Sequence, residues 1–425
     1  MTAVPSSDGA APLADVGAIR RLMLFFGIVY VVEGLGQTGG LIAQPLTYFL
    51  KESHGWTPVQ VTAFLTVFNL PWVIKPLYGA VSDFVPLFGY RRKTYLILAN
   101  VLAIGAFLWV ARETDPGQLA LALLLTAYAM AISSTLCGAL LVENGQKFGA
   151  SGRFVNQQWL WYNIAAMAAA AAGGQLIQRL SPAGALHAAA VIIAVAPLAV
   201  IWGTWSLVDE SKSAINLPEL KNTFRGLLAA FGSRRLWIVA LFLFFYFFSP
   251  GFGTPLYYHM TDELKFSQGY IGILGSIASG GWVVGGVLYG RYLDGLPSRN
   301  LLNLSIALGT LTTASYLLLS SETSAAILNF CSGFSAMLAT VATLRVAAEF
   351  SPQRSEGFAF AALTSIINLA TAAGENVGSF LYQHAFHNNL TPLIIVSALA
   401  TAFAFVLVPL LRLGSGPQPV AAGTR

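Results

Sequence analysis

The feature that most constrains this chain is a succession of apolar runs of roughly 20 residues or more, separated by short polar turns. Each run is long enough to cross a hydrocarbon core of about 30 Å at about 1.5 Å of rise per helical residue. Only 10% of the residues are charged and 56% are hydrophobic, with a mean hydropathy of +0.67. A soluble protein of this size carries about 25% charge. The chain reads as a polytopic, all-α membrane protein.

Twelve spans are expected. The first six fall near 22–50, 58–84, 92–111, 118–144, 154–178 and 184–207. The second six fall near 236–260, 268–293, 300–319, 323–349, 357–382 and 390–412. Residues 208–234 form the one extended polar segment within the chain and divide two six-helix bundles, 20–207 and 235–412. A helix lying on the membrane surface is expected over 217–232, and disordered tails over 1–19 and 413–425.

The net charge of +5 is an orientation signal and no sign of nucleic-acid binding, because no soluble domain exists to carry a basic face. Of 23 Lys and Arg, four (Lys51, Arg112, Arg179 and Lys265) fall in loops on one side. Most of the others lie on the side that holds both termini, which places the termini in the cytoplasm and the protein in the inner or plasma membrane. Cys137 and Cys331 both lie in apolar runs and imply neither a disulfide framework nor a metal site. The N-terminal residues lack the basic start of a cleaved signal peptide, so the first span is expected to act as its own insertion signal.

The halves repeat. PLTYFLKESHGW at 45–56 aligns with PLYYHMTDELKF at 255–266, setting Pro45, Leu46 and Tyr48 opposite Pro255, Leu256 and Tyr258. Gly79 and Asp83 correspond to Gly290 and Asp294, and Phe148 to Phe350.

Residues 69–95, NLPWVIKPLYGAVSDFVPLFGYRRKTY, read as the end of one membrane helix, a tight basic turn and the start of the next. Gly79 supplies a small residue for close packing, Asp83 a carboxylate at a helix end, and Gly89, Arg91, Arg92 and Lys93 a turn of cations facing it. This spacing resembles the loop signature of the major facilitator superfamily. The fuller wording, with YVVEG in the first span and SEGFAFAALTSIINLATAAG at 355–374, resembles the folate-biopterin transporter family within it. The resemblance implies two pseudo-symmetric six-helix halves and a secondary carrier of pteridine-like or other organic solutes driven by a cation gradient. It also implies two aspartates one turn apart in the fourth span, where ISSTLCGALLVENGQ has Ser134 and Gly138 instead. That departure shifts weight onto Glu33.

Charges inside a span cost about 2.5–3.5 kcal/mol on insertion scales and mark functional candidates. Glu33 lies near mid-depth of the first span, with Gln37 one turn along the same face. A carboxyl there can bind a proton or a substrate group, as a proton-coupled carrier requires; the plainer reading is packing against a neighbouring helix. Lys75 lies two turns before Asp83 and either attracts an anionic substrate or snorkels to a carboxylate. Pro71 and Pro76 flank it and loosen the helix. Asn368 and Glu375, with Asn376 beside it, give a polar stripe in the eleventh span. In the fifth, Gln157, Gln158, Trp161, Tyr162 and Asn163 combine hydrogen bonds with aromatic faces, which suit a flat heterocycle as well as a helix core.

Glu143, Arg153, Arg345, Glu349 and Arg354 sit at the ends of the fourth, fifth, tenth and eleventh spans. With Asp83, Asp294 and Arg91 to Lys93 they are expected to form ion pairs that close an inner gate in one state and separate in the other. Ordinary positive-inside flanking is the static alternative.

Other signals carry little. GLGQTG at 34–39 matches a dinucleotide-binding pattern but follows no strand, and Gly281, Gly285, Gly286 and Gly290 likewise read as helix packing. His384 and His387 lack a third metal ligand nearby, and no Walker loop appears. With no nucleophile–base pair, metal set or cofactor motif, the chain is not expected to be an enzyme. The expected function is a monomeric secondary transporter of a small organic solute, proton-coupled and working by alternating access within the lipid bilayer. The alternatives are a muropeptide- or lipid-type carrier, or a non-transporting assembly or sensor protein on a carrier fold.

Overall fold

The computed structural model describes residues 16–214, 232, 234–350 and 356–412, with side chains omitted for 356–361. Residues 217–231 of the expected surface helix, Arg354, and residues 1–15 and 413–425 of the tails lie outside them. Without water in a bilayer, every backbone group must find a partner within the protein, and helices satisfy this condition locally. The described chain is accordingly helical, with one isolated pairing of Leu87 and Tyr90.

Among the described residues the helices form twelve spans. Helices α1 (Val16–Gly36) and α2 (Ala43–His54) form the first, and α3 (Pro58–Val67), α4 (Leu70–Val73) and α5 (Lys75–Phe84) the second. The third to sixth are α6 (Lys93–Val110), α7 (Pro116–Phe148), α8 (Ser151–Arg179) and α9 (Pro182–Leu207). The seventh is again split, into α10 (Arg234–Phe247) and α11 (Gly253–Asp262). The eighth to twelfth are α12 (Gln268–Leu288), α13 (Ser298–Ser315), α14 (Glu322–Phe350), α15 (Glu356–Phe380) and α16 (Leu390–Leu407).

Seven of the twelve have helices long and apolar enough to cross by length and composition. The first, second, fifth, seventh and eleventh are broken or more polar, and they carry most of the candidate residues. In the first span the chain tightens at 37–42, where a side chain on Gly40 would run into the carbonyls of Gly34 and Leu35. In the seventh, the Gly251 amide donates to the Gly374 carbonyl at 2.9 Å, and Ser397 donates to the Pro250 carbonyl. Each break is tolerated because protein, not lipid, supplies the missing partners. After each break the outer helix resumes with proline as its third residue, Pro45 and Pro255, where no intrahelical amide is needed. The sequence repeat is thus a structural repeat.

In the first half, the helices starting at the face opposite the Arg-rich one begin with a cap followed by proline: Thr57–Pro58, Asp115–Pro116 and Ser181–Pro182. In the second, Ser267 and Asn389 cap their helices without one. The basic turn closes through Phe88 (φ 54°) and Gly89 (φ 86°), with paired bonds of 3.0 Å between Leu87 and Tyr90. Two consecutive positive φ values define a tight turn that needs glycine at one position at least.

The core is one body on one side and two on the other. A cluster containing Leu46, Phe49, Leu186, Leu256, Tyr258 and Leu393 joins both halves at the face opposite the Arg-rich one. Toward the Arg-rich face it gives way to two clusters, one around Phe25, Phe26 and Phe154 and the other around Leu243, Leu302 and Val346, each confined to its own half. The molecule is closed at one face and parted toward the other.

Candidate functional site

Glu33, Ser134 and Lys75 meet between the first, fourth and second spans. The Ser134 hydroxyl donates to Glu33 Oε1 at 2.9 Å, and Lys75 Nζ donates to Ser134 Oγ at 3.2 Å. The two charges do not touch directly; one hydroxyl links them. Gly34 fixes Glu33 against the fifth span, since a Cβ there would lie 2.6 Å from the Tyr162 carbonyl oxygen and 2.8 Å from the Ala165 side chain. Lys75 opens α5 just after the irregular residue Ile74, so its ammonium is carried inward and rests 4.2 Å over the ring of Trp72. The second carboxylate oxygen, Glu33 Oε2, is buried and accepts no hydrogen bond from any described residue. A buried acceptor without a donor costs roughly 1–3 kcal/mol, so this oxygen is where an incoming proton or N–H group gains most.

The other half reaches the same place. Asn368 Nδ2 of the eleventh span donates to the Trp72 carbonyl at 3.4 Å, and about two turns farther Asn376 Nδ2 donates to Thr66 Oγ1 at 2.5 Å. Toward the closed face, Thr62 and Ser379 hydroxyls pair at 2.7 Å. Gln44 Nε2 bonds the Gln268 carbonyl at 2.8 Å, and Lys51 pairs with Asp262 at the rim. Tyr258 donates to the Trp56 carbonyl nearby.

The remaining sequence candidates separate. Gln37 sits in the break of the first span, its amide bonded to the Glu33 carbonyl at 3.0 Å. Tyr162 packs edge-on to Trp159 beside Gly34, close to the Glu33 site. Asn163 is spent structurally, its side chain donating to the Trp159 carbonyl at 2.7 Å within the same helix. Gln157 accepts from the Trp161 indole and lines a groove on the outside of the bundle with it. Gln158, on the next residue, is half-buried. Glu375 serves the broken seventh span: its carboxylate lies against Gly251 and accepts from the Gly253 amide at the start of α11.

At the Arg-rich face the expected gate residues pair within each half, not across the divide. Arg92, only 3% exposed, bonds Asp83, Ser82 and Glu143, the last at 2.9 Å. Gly79 lies one turn before Asp83 with its nearest neighbour, Thr135, at the edge of contact. In the second half Arg345 bonds Glu349 at 3.5 Å and the Asp294 carbonyl at 3.1 Å, while Ser298 donates to Glu349. Arg153 is exposed and makes no ion pair among the described residues. Sequence reasoning overlooked Glu210. Its carboxylate accepts from the amides of Arg91, Arg92 and Lys93 at 2.9–3.0 Å, capping the third span and tying the basic turn to the segment after the sixth. An acid just past one helix and a basic turn just before another was the available signal.

A profile of the BT1 family matches residues 35–415. The chain belongs to the BT1 family. A folate-biopterin transporter of Synechocystis sp. (strain ATCC 27184 / PCC 6803 / Kazusa) is 29% identical over 92% of this chain and 81% of its own length. Folate transporter 1 of Plasmodium falciparum (isolate 3D7) is 23% identical over 60% of this chain and 50% of its own length. Among solved structures, a point variant of the nucleoside transporter NupG superposes with a TM-score of 0.71 at 15% identity, covering 92% of this chain and 99% of that one. A D-xylose-proton symporter gives 0.67 at 14% identity over 92% and 97%. The fold of this BT1 family member is thus that of the major facilitator superfamily, and the resemblance carried by residues 69–95 and YVVEG holds. The protein is an integral, multi-pass membrane transporter and not an enzyme.

Proposed function

We propose that the chain is a proton-coupled secondary carrier of a small organic solute, pteridine- or folate-like or another organic anion, in which cargo and proton share the site at Glu33, Ser134 and Lys75. The observation that carries this reading is the hydroxyl bridge between Glu33 and Lys75 with Glu33 Oε2 left without a donor. A protonated Glu33 releases Lys75 to an anionic cargo, and a deprotonated one draws the ammonium back; this exchange couples the two movements. The curated relatives named for folate and biopterin support the solute class.

In this reading the bundles 20–207 and 235–412 rock about the site while the linker 208–234 holds them together. The single chain is the working unit, and the Arg-rich face with both termini looks into the cytoplasm across the inner membrane. Arg92 with Asp83 and Glu143, and Arg345 with Glu349 and Asp294, stiffen each half at that face while it is open. Their cations are the groups that can exchange partners on closure.

Uptake into proteoliposomes under an imposed proton gradient tests the proposal. Glu33→Gln is expected to abolish gradient-driven accumulation while leaving solute exchange at equal pH; undiminished accumulation by the variant would remove Glu33 from coupling.

A further inference from the structure

A groove of about 460 Å³ runs along the outside of the first bundle, with α1 as its floor and α8 and α9 as its walls. Its lining is apolar, from Met23 and Leu24 through Ile28 to Val31 and Val32 on α1, with Ala196 and Ala199 on α9. Gly27 gives the groove its shape. A Cβ there would lie 3.1 Å from the Trp161 indole nitrogen, so the absence of a side chain lets the ring lie against α1. The indole N–H is already satisfied by Gln157 Oε1, which leaves the ring to act as an apolar wall with one wet edge.

Helix spacing sets two cations below the groove on the helices that line it. Arg20 stands one turn before Leu24 on α1, and Arg153 one turn before Gln157 and two before Trp161 on α8, so both follow the lining faces down to the Arg-rich end. Both are exposed, and neither makes an ion pair among the described residues, whereas neighbouring Arg21 pairs with Asp209 at 3.6 Å. Along α1 the apolar stretch from Met23 to Val32 spans about 14 Å, the depth of half a bilayer. An apolar slot of one leaflet's depth, ending in two cations, matches one class of molecule in charge and in length.

We infer that this groove is a binding site for a phospholipid with an anionic headgroup, one acyl chain lying on Gly27 beside Trp161 and the phosphate between Arg20 and Arg153. The site is distinct from the cargo site and stands whether or not Glu33 couples transport.

Native mass spectrometry of the full-length protein in detergent, titrated with phosphatidylglycerol or phosphatidylcholine, tests it. Wild type is expected to retain one phosphatidylglycerol with about a thirtyfold preference over phosphatidylcholine, the scale set by two basic residues near a membrane surface. Arg20→Gln with Arg153→Gln is expected to lose the preference, and Ala199→Phe, which fills the slot from the lipid side, to lose retention of both lipids. Arg291→Gln with Arg299→Gln removes the same charge elsewhere and is expected to bind as wild type. Circular dichroism and gel filtration confirm that each variant is folded. Equal retention by the Arg20/Arg153 variant and wild type overturns the site, as does an equal loss in the Arg291/Arg299 variant or full displacement of the lipid by glycerol phosphate alone.

Discussion

Lys75 and Glu33, 42 positions apart in sequence, reach the same hydroxyl: Ser134 Oγ accepts from the ammonium at 3.2 Å and donates to the carboxylate at 2.9 Å. Ser134 stands where the family resemblance implied an aspartate. A serine there leaves one acid and one base at the centre, joined through a group that both accepts and donates.

Ser134→Ala removes that link and leaves two buried charged groups short of a partner. The expected cost is about 1–3 kcal/mol, or roughly a five- to 150-fold loss in apparent affinity. Initial rates of uptake against solute concentration measure it. Ser134→Thr keeps the hydroxyl and is expected to stay within about threefold of wild type; equal impairment of both variants would show that volume, not the hydrogen bond, matters at this position.

Thr62 and Ser379 sit on opposite halves with hydroxyls 2.7 Å apart. Cysteines at both positions are close enough for a disulfide. Mild oxidation is expected to link them and stop transport, and reduction to restore it. Transport by the fully oxidised protein would mean that the halves do not part at this face. The native thiols interfere little, because Cys137 is buried and Cys331 partly so.

Glu210 holds three consecutive amides of the basic turn. Glu210→Ala is expected to destabilise the third span's start by about 1–2 kcal/mol, on the scale of a lost charged helix cap. Arg92→Ala leaves Asp83 and Glu143 without their shared cation and is expected to lower the melting temperature further. Thermal unfolding of the purified variants in detergent ranks the two; a silent Glu210→Ala would mean that the basic turn holds its shape unaided.

Glycines of the eighth and tenth spans are expected to differ sharply in tolerance. A Cβ on Gly281 would press into the Phe330 carbonyl, and one on Gly333 into the Ala278 carbonyl, both backbone atoms that cannot yield. Gly286 faces only the flexible end of Met337, 3.2 Å away. Gly281→Ala and Gly333→Ala are expected to cost about 1–3 kcal/mol or more by overpacking, and Gly286→Ala far less. Folded yield and melting temperature separate them.

The twelve spans, the duplication and the membrane class were legible because apolar length and repeated wording are properties of whole segments. Glu33 and Lys75 stood out because charge in an apolar run is rare. Ser134 was marked only as a missing acid, since a helix serine commonly bonds its own backbone and nothing in the sequence says which way it turns. The breaks in the first and seventh spans were hidden for a related reason: hydropathy registers apolar content and is blind to an interrupted hydrogen-bond ladder. Charge position alone marked an inner gate that pairs in one state and separates in the other, without saying which acid meets which cation. In this structure Arg92 lies with Asp83 and Glu143 on its own side, where the two cores part.

The interrupted helices have a mechanical consequence. At Gly40 and Gly251 the first and seventh helices lose the rigidity that an unbroken ladder confers, so each carries a joint just inside its outermost turns. The short arms beyond those joints are the parts that bear Lys51 and Asp262. A gate hung in this way can swing at the membrane surface while the glutamate half a bilayer beneath it stays where it is.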